Sequence, residues 1–209
     1  AGNPVRHVFM TADREKSRAE LGFDQSDFVL LAFGGSQGAG RVNKAMTGII
    51  EAFNGLKGFR ICLATGSYYY DAIKEELKEK GIQVADNVDI MEYIHDMAKY
   101  LSAADLVISR SGALSVAEVT VCGVPAVFIP SPLVTGNHQY FNAKAVADKG
   151  GALIIEEKDL NNDELIGEIL KLKNDPATLK QMAEKSYSCA PLDATGIICD
   201  SIMEAIGQK

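Results

Sequence analysis

Short apolar runs alternate with segments of helical periodicity along the first three quarters of the chain. Six runs are almost continuously apolar, which is typical of strands that are covered on both faces of a sheet. They span residues 28–33, 59–64, 88–91, 106–109, 126–129 and 152–155. Helical spacing fills the intervals at residues 42–54, 70–80, 96–103, 114–122 and 137–149. This order predicts an α/β fold, a doubly wound, Rossmann-like parallel sheet with right-handed crossovers.

The two ends of the chain lack this alternation. Three helices are predicted after the last strand, at residues 163–173, from Asp175-Pro176 onward, and at 193–206. Aspartate followed by proline is typical of a helix start. Residues 1–24 contain no predicted strand and are interpreted as a linker that enters the domain formed by residues 25–209. Because the first residue is Ala1 and not Met, we expect the chain to be processed or part of a longer protein.

The composition of the chain argues against membrane-spanning and nucleic-acid-binding functions. The chain is 47% hydrophobic and 23% charged, as in ordinary globular proteins, and has no apolar stretch long enough to span a membrane. Its net charge of −7 argues against nucleic-acid binding, but a nucleotide can be held by backbone amides alone. Four separated cysteines without a Cys-x-x-Cys pair, of which Cys62 and Cys122 are predicted to be buried, favour a reducing, cytosolic setting.

Glycine and polar residues collect where the predicted strands end. They form the loops 34–40, 65–67, 93–96, 110–113 and 130–139. Ligands of open parallel sheets bind beyond the carboxyl ends of the strands. These loops are therefore the candidate site.

The first of these loops, Gly34 to Gly40, is rich in glycine but fits neither common phosphate motif. Ser36 stands where a Gly-x-Gly-x-x-Gly motif needs glycine, and the Gly-Lys-Ser/Thr ending of a P-loop is missing. Two readings stay open at this point. The loop either contacts a ligand or is a tight turn that needs glycine for its backbone angles.

A second candidate is the helix predicted to open after Arg110-Ser111-Gly112. Its free amides and dipole can receive a diphosphate, and Gly112 allows close approach. Glu118, further along the helix, can accept hydrogen bonds from two ribose hydroxyls. Ser115 to Glu118 equally fits a capping box, in which Glu118 folds back on the helix start.

The remaining polar residues carry weaker predictions. His138 is interpreted as a surface or capping histidine, whereas Gln139 offers the donor and acceptor that suit sugar hydroxyls. The three histidines have no metal-ligand spacing, so no metal site is expected. The run Tyr68-Tyr69-Tyr70 is interpreted as partial cover for the core.

Five segments together resemble the MurG family of bacterial transferases, which add N-acetylglucosamine (GlcNAc) from UDP-GlcNAc to the lipid-linked muramoyl-pentapeptide of peptidoglycan. The similarity extends from Gly2 to the last helix. The segments are Gly2-Asn3-Pro4-Val5-Arg6, Gly34-Gly35-Ser36-Gln37-Gly38-Ala39, Tyr93-Ile94-His95-Asp96-Met97, Arg110-Ser111-Gly112-Ala113-Leu114-Ser115-Val116-Ala117-Glu118 and His138-Gln139-Tyr140-Phe141-Asn142-Ala143.

The resemblance implies a UDP-GlcNAc site. Ile94 would hold the uracil edge through its backbone, Glu118 would bind the ribose, and Gln139 would bind the GlcNAc hydroxyls. Ser36 and the amides from Ala113 onward would line the diphosphate and sugar, with Arg6 near the nucleotide. The full predicted set is Arg6, Ser36, Ile94, Ser111, Gly112, Ala113, Leu114, Ser115, Glu118 and Gln139.

The resemblance also implies the donor-binding, C-terminal half of a two-domain (GT-B) enzyme that is inverting and needs neither metal nor other cofactor. The catalytic base and the surface for the lipid-linked acceptor would belong to an N-terminal domain, which this chain lacks. The chain alone would then bind donor without transferring sugar. The complete enzyme would work in the cytoplasm, at the inner face of the membrane.

Three alternatives remain at this level. The chain could be the soluble donor subunit of a split glycosyltransferase, whose acceptor domain is a separate chain. It could be a UDP-GlcNAc 2-epimerase-like domain, which needs acid and base groups around the sugar. It could also be a non-catalytic module that binds nucleotide sugars.

Overall fold

A six-stranded parallel sheet forms the centre of the protein, as seen in a computed structural model that describes residues 2–207. Ala1 and the last two residues of the predicted domain lie outside this range. The strand order is β3-β2-β1-β4-β5-β6, with all neighbours parallel. The strands are β1 (Phe28–Phe33), β2 (Phe59–Ala64), β3 (Val88–Met91), β4 (Leu106–Ser109), β5 (Ala126–Phe128) and β6 (Ala152–Ile154).

Ten α-helices occur within residues 2–207 and cover both faces of the sheet, and two short 3-10 helices lie at Thr135–Asn137 and Glu157–Asp159. The α-helices are α1 (His7–Thr11), α2 (Arg14–Leu21), α3 (Gly40–Phe53), α4 (Tyr70–Glu79), α5 (Met97–Ala103), α6 (Ala113–Val121), α7 (His138–Ala147), α8 (Asn162–Asn174), α9 (Pro176–Tyr187) and α10 (Ala194–Ala205). The predicted fold class is confirmed. The predicted ends of the strands and of the helices from α3 onward lie within two residues of the observed ends.

Strand β1 shows why these apolar runs become central strands. All six of its residues are buried, and they alternate between two cores. Leu30 and Ala32 join the core under α3 and α8, whereas Leu31 and Phe33 join the core under α5, α6 and α7. Burying apolar side chains on both faces is the main stabilising contribution to such a sheet.

The predicted cysteine burial is correct for one residue of the two. Cys62 on β2 is fully buried, and burial raises the pKa of its thiol. Cys122 is half-buried after α6, where burial raises its pKa to about 12. Neither thiol is ionised near neutral pH.

The C-terminal helices begin where the sequence predicts. Asn161 caps α8, accepting from the amide of Asp163 at 2.9 Å. The carboxylate of Asp175 caps α9, accepting from the amide of Thr178 at 3.0 Å, and Pro176 is the first helical residue. Such caps satisfy amides that have no partner inside the helix.

Within the segment interpreted as a linker, residues 7–21 form two helices that pack on the domain. Phe9 of α1 is buried in the core beneath α5 and α6. The segment contains no strand within residues 2–24, as expected. Its helices escaped prediction because they are short and α2 is largely polar, so that tertiary contacts stabilise them.

Arg18 on α2 anchors this segment to the sheet. Its side chain is 1% exposed, and its guanidinium contacts Asp105 Oδ2 at 2.6 Å. It also donates to the carbonyls of Ala103 at 3.0 Å and Gln25 at 2.8 Å. Asp105 Oδ2 in turn accepts from the amide of Val29 at 2.8 Å, which ties α2 to the starts of β1 and β4. A buried charge with this many partners is fully compensated.

Among the helices of residues 2–207, none combines the length and the hydropathy of a transmembrane segment.

Candidate functional site

A cavity of about 440 Å³ opens at the carboxyl ends of β1, β3 and β4. We call it the central cavity. Of the ten predicted binding residues, six line it: Arg6, Ser36, Ile94, Leu114, Ser115 and Glu118. The sheet topology therefore brings together side chains that are up to 112 positions apart in sequence, from Arg6 to Glu118.

The start of α6 has free amides at the edge of this cavity, which Leu114 and Ser115 of its first turn line. The helix begins at Ala113 after Gly112, and no side chain caps it. A Cβ atom added at Gly112 would meet only the hydroxyl of Ser115, at 3.9 Å, so this turn is open to a ligand. Unpaired amides and the positive end of the helix dipole favour an anion here.

The capping-box interpretation of Ser115 and Glu118 is wrong. The first helical bond runs from the amide of Val116 to the carbonyl of Gly112, at 2.9 Å. Ser115 is thus the third residue of the helix and not its cap. The glycine at position 112 moves the helix start three residues upstream, which leaves Glu118 within the helix and free of a capping role.

Glu118 is a half-buried carboxylate without a hydrogen bond or ion pair to any of residues 2–207. Burial raises its pKa, and the positive charge of Arg6 opposes that rise. A carboxylate that is partly desolvated, faces a cavity and lacks a protein partner is typical of a ligand-binding position.

Ile94 combines a buried side chain with unpaired backbone groups. The side chain is 4% exposed. Neither its amide nor its carbonyl has a hydrogen-bond partner among residues 2–207, whereas the carbonyl of Glu92 accepts from the amide of Gly66 at 3.0 Å. A buried backbone usually pairs its polar groups, so this position is suited to the polar edge of a planar ligand.

The glycine-rich loop is both a tight turn and a wall of the cavity. The amide of Gly38 donates to the carbonyl of Gly35 at 3.0 Å, and these residues have φ angles of +81° and +89°. Other residues rarely adopt such angles. Ser36 lies exposed at the tip of the turn, beside the cavity. The two readings of this loop are therefore compatible.

Ser111, Gly112, Ala113 and Gln139 do not line the central cavity but lie around the start of α6. Ser111 is fully buried, and its hydroxyl donates to the backbone carbonyl of Gln139 at 2.8 Å. The side-chain oxygen of Gln139 accepts from the amide of Ser131 at 2.9 Å. The side-chain nitrogen of Gln139 has no partner among residues 2–207. Ser111 therefore supports the start of α6 from within and offers a ligand no accessible group, whereas Gln139 retains a free donor.

Two residues that sequence reasoning missed support this arrangement. Asn142 donates to the carbonyl of Ser111 at 3.0 Å and holds α7 against the start of α6. Glu157, on a short 3-10 turn after β6, forms an ion pair with Arg110. Asn142 could have been found in the segment that begins at His138, but no sequence signal marks Glu157.

The remaining predicted positions take surface or packing roles. His138 is exposed, and its Nδ1 lies 3.0 Å from the carbonyl of Thr135. Tyr69 packs against the core, whereas Tyr68 is 81% exposed, so only part of the tyrosine run covers the core. Within the described chain, no three His, Cys, Asp or Glu side chains are placed to hold a metal ion.

The fold and the placement of the site define a doubly wound α/β domain with an anion-receptive helix start at its switch between strands. The sequence profile of the glycosyltransferase family 28 C-terminal domain matches residues 29–194. The chain belongs to this family.

Individual relatives specify the branch of the family. The UDP-N-acetylglucosamine--N-acetylmuramyl-(pentapeptide) pyrophosphoryl-undecaprenol N-acetylglucosamine transferase of Desulforudis audaxviator is 39% identical over 209 residues, which cover 99% of this chain and 56% of the relative. The enzyme of the same name from Acetivibrio thermocellus is 39% identical over 208 residues, covering 100% of this chain and 56% of that protein.

A solved structure agrees with the sequence relatives. The crystal structure of Acinetobacter baumannii MurG superimposes with a TM-score of 0.76 at 29% identity, covering 98% of this chain and 56% of that one. The predicted membership of the MurG family is confirmed. The chain corresponds to the C-terminal domain and spans 56% of the length of these relatives.

Proposed function

We propose that this domain binds UDP-GlcNAc as the donor half of an inverting, metal-independent N-acetylglucosaminyltransferase that forms lipid II from lipid I in peptidoglycan synthesis. One observation carries the proposal. The uncapped start of α6, the unpartnered carboxylate of Glu118 and the unpaired backbone of Ile94 converge on one cavity. These groups match the diphosphate, the ribose and the base of a uridine nucleotide in turn.

Each part of the nucleotide has a group suited to it. The amides of Ala113 and Leu114 receive the diphosphate, and Ser36 closes over it from the neighbouring turn. Two vicinal hydroxyls donate to the two oxygens of Glu118. The imide edge of uracil, with alternating acceptors and a donor, pairs with the amide and carbonyl of Ile94.

The sugar extends from the diphosphate toward Gln139. The free side-chain nitrogen of Gln139 donates to a hydroxyl of GlcNAc, while its bond to Ser131 keeps the amide oriented. Arg6 lies at the mouth of the cavity, where its charge stabilises the nucleotide.

The domain contributes to the reaction by electrostatic stabilisation of the leaving group. The acceptor hydroxyl attacks the anomeric carbon, the bond to the diphosphate breaks, and negative charge accumulates on the departing UDP. Helix amides aimed at that charge stabilise the transition state without a metal ion or other cofactor. The base that takes the acceptor proton and the surface for the lipid-linked acceptor belong to the N-terminal part of the relatives. The domain alone binds donor and transfers no sugar.

Partners and location follow from the same proposal. The domain works with an acceptor-binding domain, on the same chain or as a separate subunit, and reaches the lipid-linked acceptor through it. Nucleotide sugars and the acceptor meet at the cytoplasmic face of the membrane.

Calorimetric titration of the domain with UDP, UDP-GlcNAc, UDP-glucose and NADH, in the presence of EDTA, tests the proposal. We expect UDP and UDP-GlcNAc to bind, and NADH to show no binding. Failure of UDP to bind, or a requirement for metal, would overturn it. Appearance of the 2-epimer by NMR, when the full-length protein is incubated with UDP-GlcNAc, would assign the site to an epimerase.

A further inference from the structure

A second cavity, of about 820 Å³, runs along the free edge of the sheet and is separate from the central cavity. We call it the β6 groove. Its floor is apolar and consists of Leu153, Ile154 and Ile155. Its far wall is the face of α8 that carries Glu164, Gly167 and Glu168. The donor site described above uses none of these residues.

The groove follows a strand edge that has no neighbour among residues 2–207. Strand β6 is last in the sheet and pairs only with β5. The amide of Ile155 donates to the carbonyl of Phe128 at 3.0 Å. Because the backbone groups of alternate residues in a strand point to opposite sides, those of Ile154 point away from β5, toward the groove. An edge of this kind can pair with an additional strand.

The rim of the groove is acidic. It carries Glu156, Asp159, Glu164 and Glu168, and no lysine or arginine lines the groove. Lys158 reaches Glu156 at 3.4 Å and Lys171 reaches Glu168 at 3.5 Å, both at exposed positions. Asp159 and Glu164 have no ion pair with any of residues 2–207. The groove is therefore negatively charged, which favours a basic occupant and disfavours a second copy of the same acidic edge.

We propose that the β6 groove docks an extended, basic segment of a partner protein. The segment adds to the sheet beside β6, its alternate apolar side chains fill the space between β6 and α8, and its lysines or arginines meet the acidic rim. This surface is distinct from the donor site, so the proposal stands whether or not the domain binds UDP-GlcNAc.

Gly167 makes the groove testable without harm to the fold. A Cβ atom at this position meets no atom within 4 Å, although the residue lies within α8. Leucine is a far better helix former than glycine, so Gly167→Leu keeps or raises stability while its side chain occupies the groove.

The probe is the acetylated and amidated peptide Lys-Val-Lys-Ile-Lys-Val-Lys, titrated into the isotope-labelled domain and followed by NMR. We expect shifts in the amide signals of β6 and α8, and slower hydrogen exchange at Ile154. Gly167→Leu should abolish these changes. Glu164→Lys/Glu168→Lys should weaken binding about tenfold, because the two substitutions replace attraction of the lysines of the peptide by repulsion.

A matched variant separates the groove from general charge attraction. Glu75→Lys/Glu79→Lys makes the same change in net charge, at the same helical spacing, on α4 away from the groove. It should leave peptide binding within about twofold, because it lacks contact with the groove. A peptide of equal charge with proline in place of valine should bind weakly, since proline cannot supply the strand amides.

Four results would overturn the proposal. They are no binding of the probe, equal weakening by the α4 variant, unchanged binding in Gly167→Leu, and a domain that forms dimers through β6 without peptide. Circular dichroism and urea denaturation of every variant check folding, and should show the helix content of the parent and an unfolding midpoint no lower than that of the parent.

Discussion

Arg110 and Glu157 form an ion pair that joins the end of β4 to the turn after β6. The guanidinium also donates to the carbonyl of Ile129 at 3.0 Å, and Arg41 of α3 donates to the carbonyl of Glu157 at 3.0 Å. The loop that leads into α6 is thereby fixed against the end of β5 and the turn after β6, and that turn is itself held by α3. Because the Arg110 guanidinium is engaged by Glu157 and Ile129, we expect the helix amides, and not this arginine, to bind a phosphate.

Removing one partner of this pair should destabilise the domain. The side chains of Arg110 and Glu157 are 14% and 19% exposed, so Glu157→Ala leaves a charge largely out of water without its partner. We expect a loss of about 1–3 kcal/mol in the free energy of unfolding, measured by urea denaturation. Glu156→Ala, at a side chain 46% exposed, is the neighbouring control and should change stability by less than about 0.5 kcal/mol. Equal losses in the two variants would contradict a structural role for the pair.

Glu118→Ala should weaken UDP and UDP-GlcNAc alike, because both ligands carry the ribose. Hydrogen bonds to a charged group contribute about 1.5–3 kcal/mol, so we expect a loss of about 10- to 100-fold in calorimetric titrations. Glu184→Ala, an exposed carboxylate on α9, serves as the control. An affinity for UDP that survives in Glu118→Ala would remove this residue from the site.

The same carboxylate should make the free protein less stable as pH rises. Burial raises the pKa of Glu118 in the folded state above the value of 4.5 for the unfolded chain. The folded state therefore holds the proton more tightly, and stability falls between the unfolded and the folded pKa. Glu118→Gln removes this penalty and should be more stable than the parent at pH 7, with the difference vanishing well below pH 4.5. Urea denaturation across this range measures it, and a variant less stable at pH 7 would contradict the expectation.

Gly112→Ala should separate diphosphate binding from base binding. The added methyl group meets only the Ser115 hydroxyl at 3.9 Å, so the fold accepts it, but it stands where a phosphate approaches the amides. We expect UDP to bind at least about tenfold more weakly, a change of about 1.4 kcal/mol, while uridine binds as before. Parallel titrations with the two ligands test this, with Gly167→Ala as a control outside the site. A similar loss for uridine would mean that the substitution disturbs the whole cavity.

Gln139→Ala should weaken UDP-GlcNAc more than UDP. The lost donor reaches the sugar alone, and a neutral hydrogen bond contributes about 0.5–1.5 kcal/mol, so we expect a loss of about two- to tenfold for the sugar-bearing ligand. His138→Ala, at the exposed neighbour, is the control. Equal losses for UDP and UDP-GlcNAc would refute the assigned role, since they would point to the bond between Gln139 and Ser131.

The sequence predicts the sheet well because each strand can be recognised from a few consecutive residues. Each strand is a short apolar run between glycine and polar residues, and the strand ends determine which loops share an edge. Ser36, Ile94 and Glu118 could therefore be placed near one another before any coordinates. Residues whose roles depend on partners far away in the sequence could not be predicted in this way. Glu157 meets Arg110 from 47 positions away, and Arg18 meets Asp105 from 87 positions away.

The capping box shows how a local pattern can mislead. Ser115 to Glu118 fits the pattern, but Gly112 starts the helix earlier, because the chain leaving β4 must turn at once to pack α6 on the sheet. Likewise, α1 and α2 depend on contacts with α5 and α6, which no periodicity in residues 1–24 reveals.

The Arg18 anchor holds the N-terminal segment on the sheet. Its ion pair with Asp105 fastens α2 to the sheet. Val5, which precedes α1, is only 8% exposed and packs in the core. If a further domain precedes this one, Arg6 would stay beside the central cavity as that domain turns, because Val5 and Phe9 on either side of it are buried in the core.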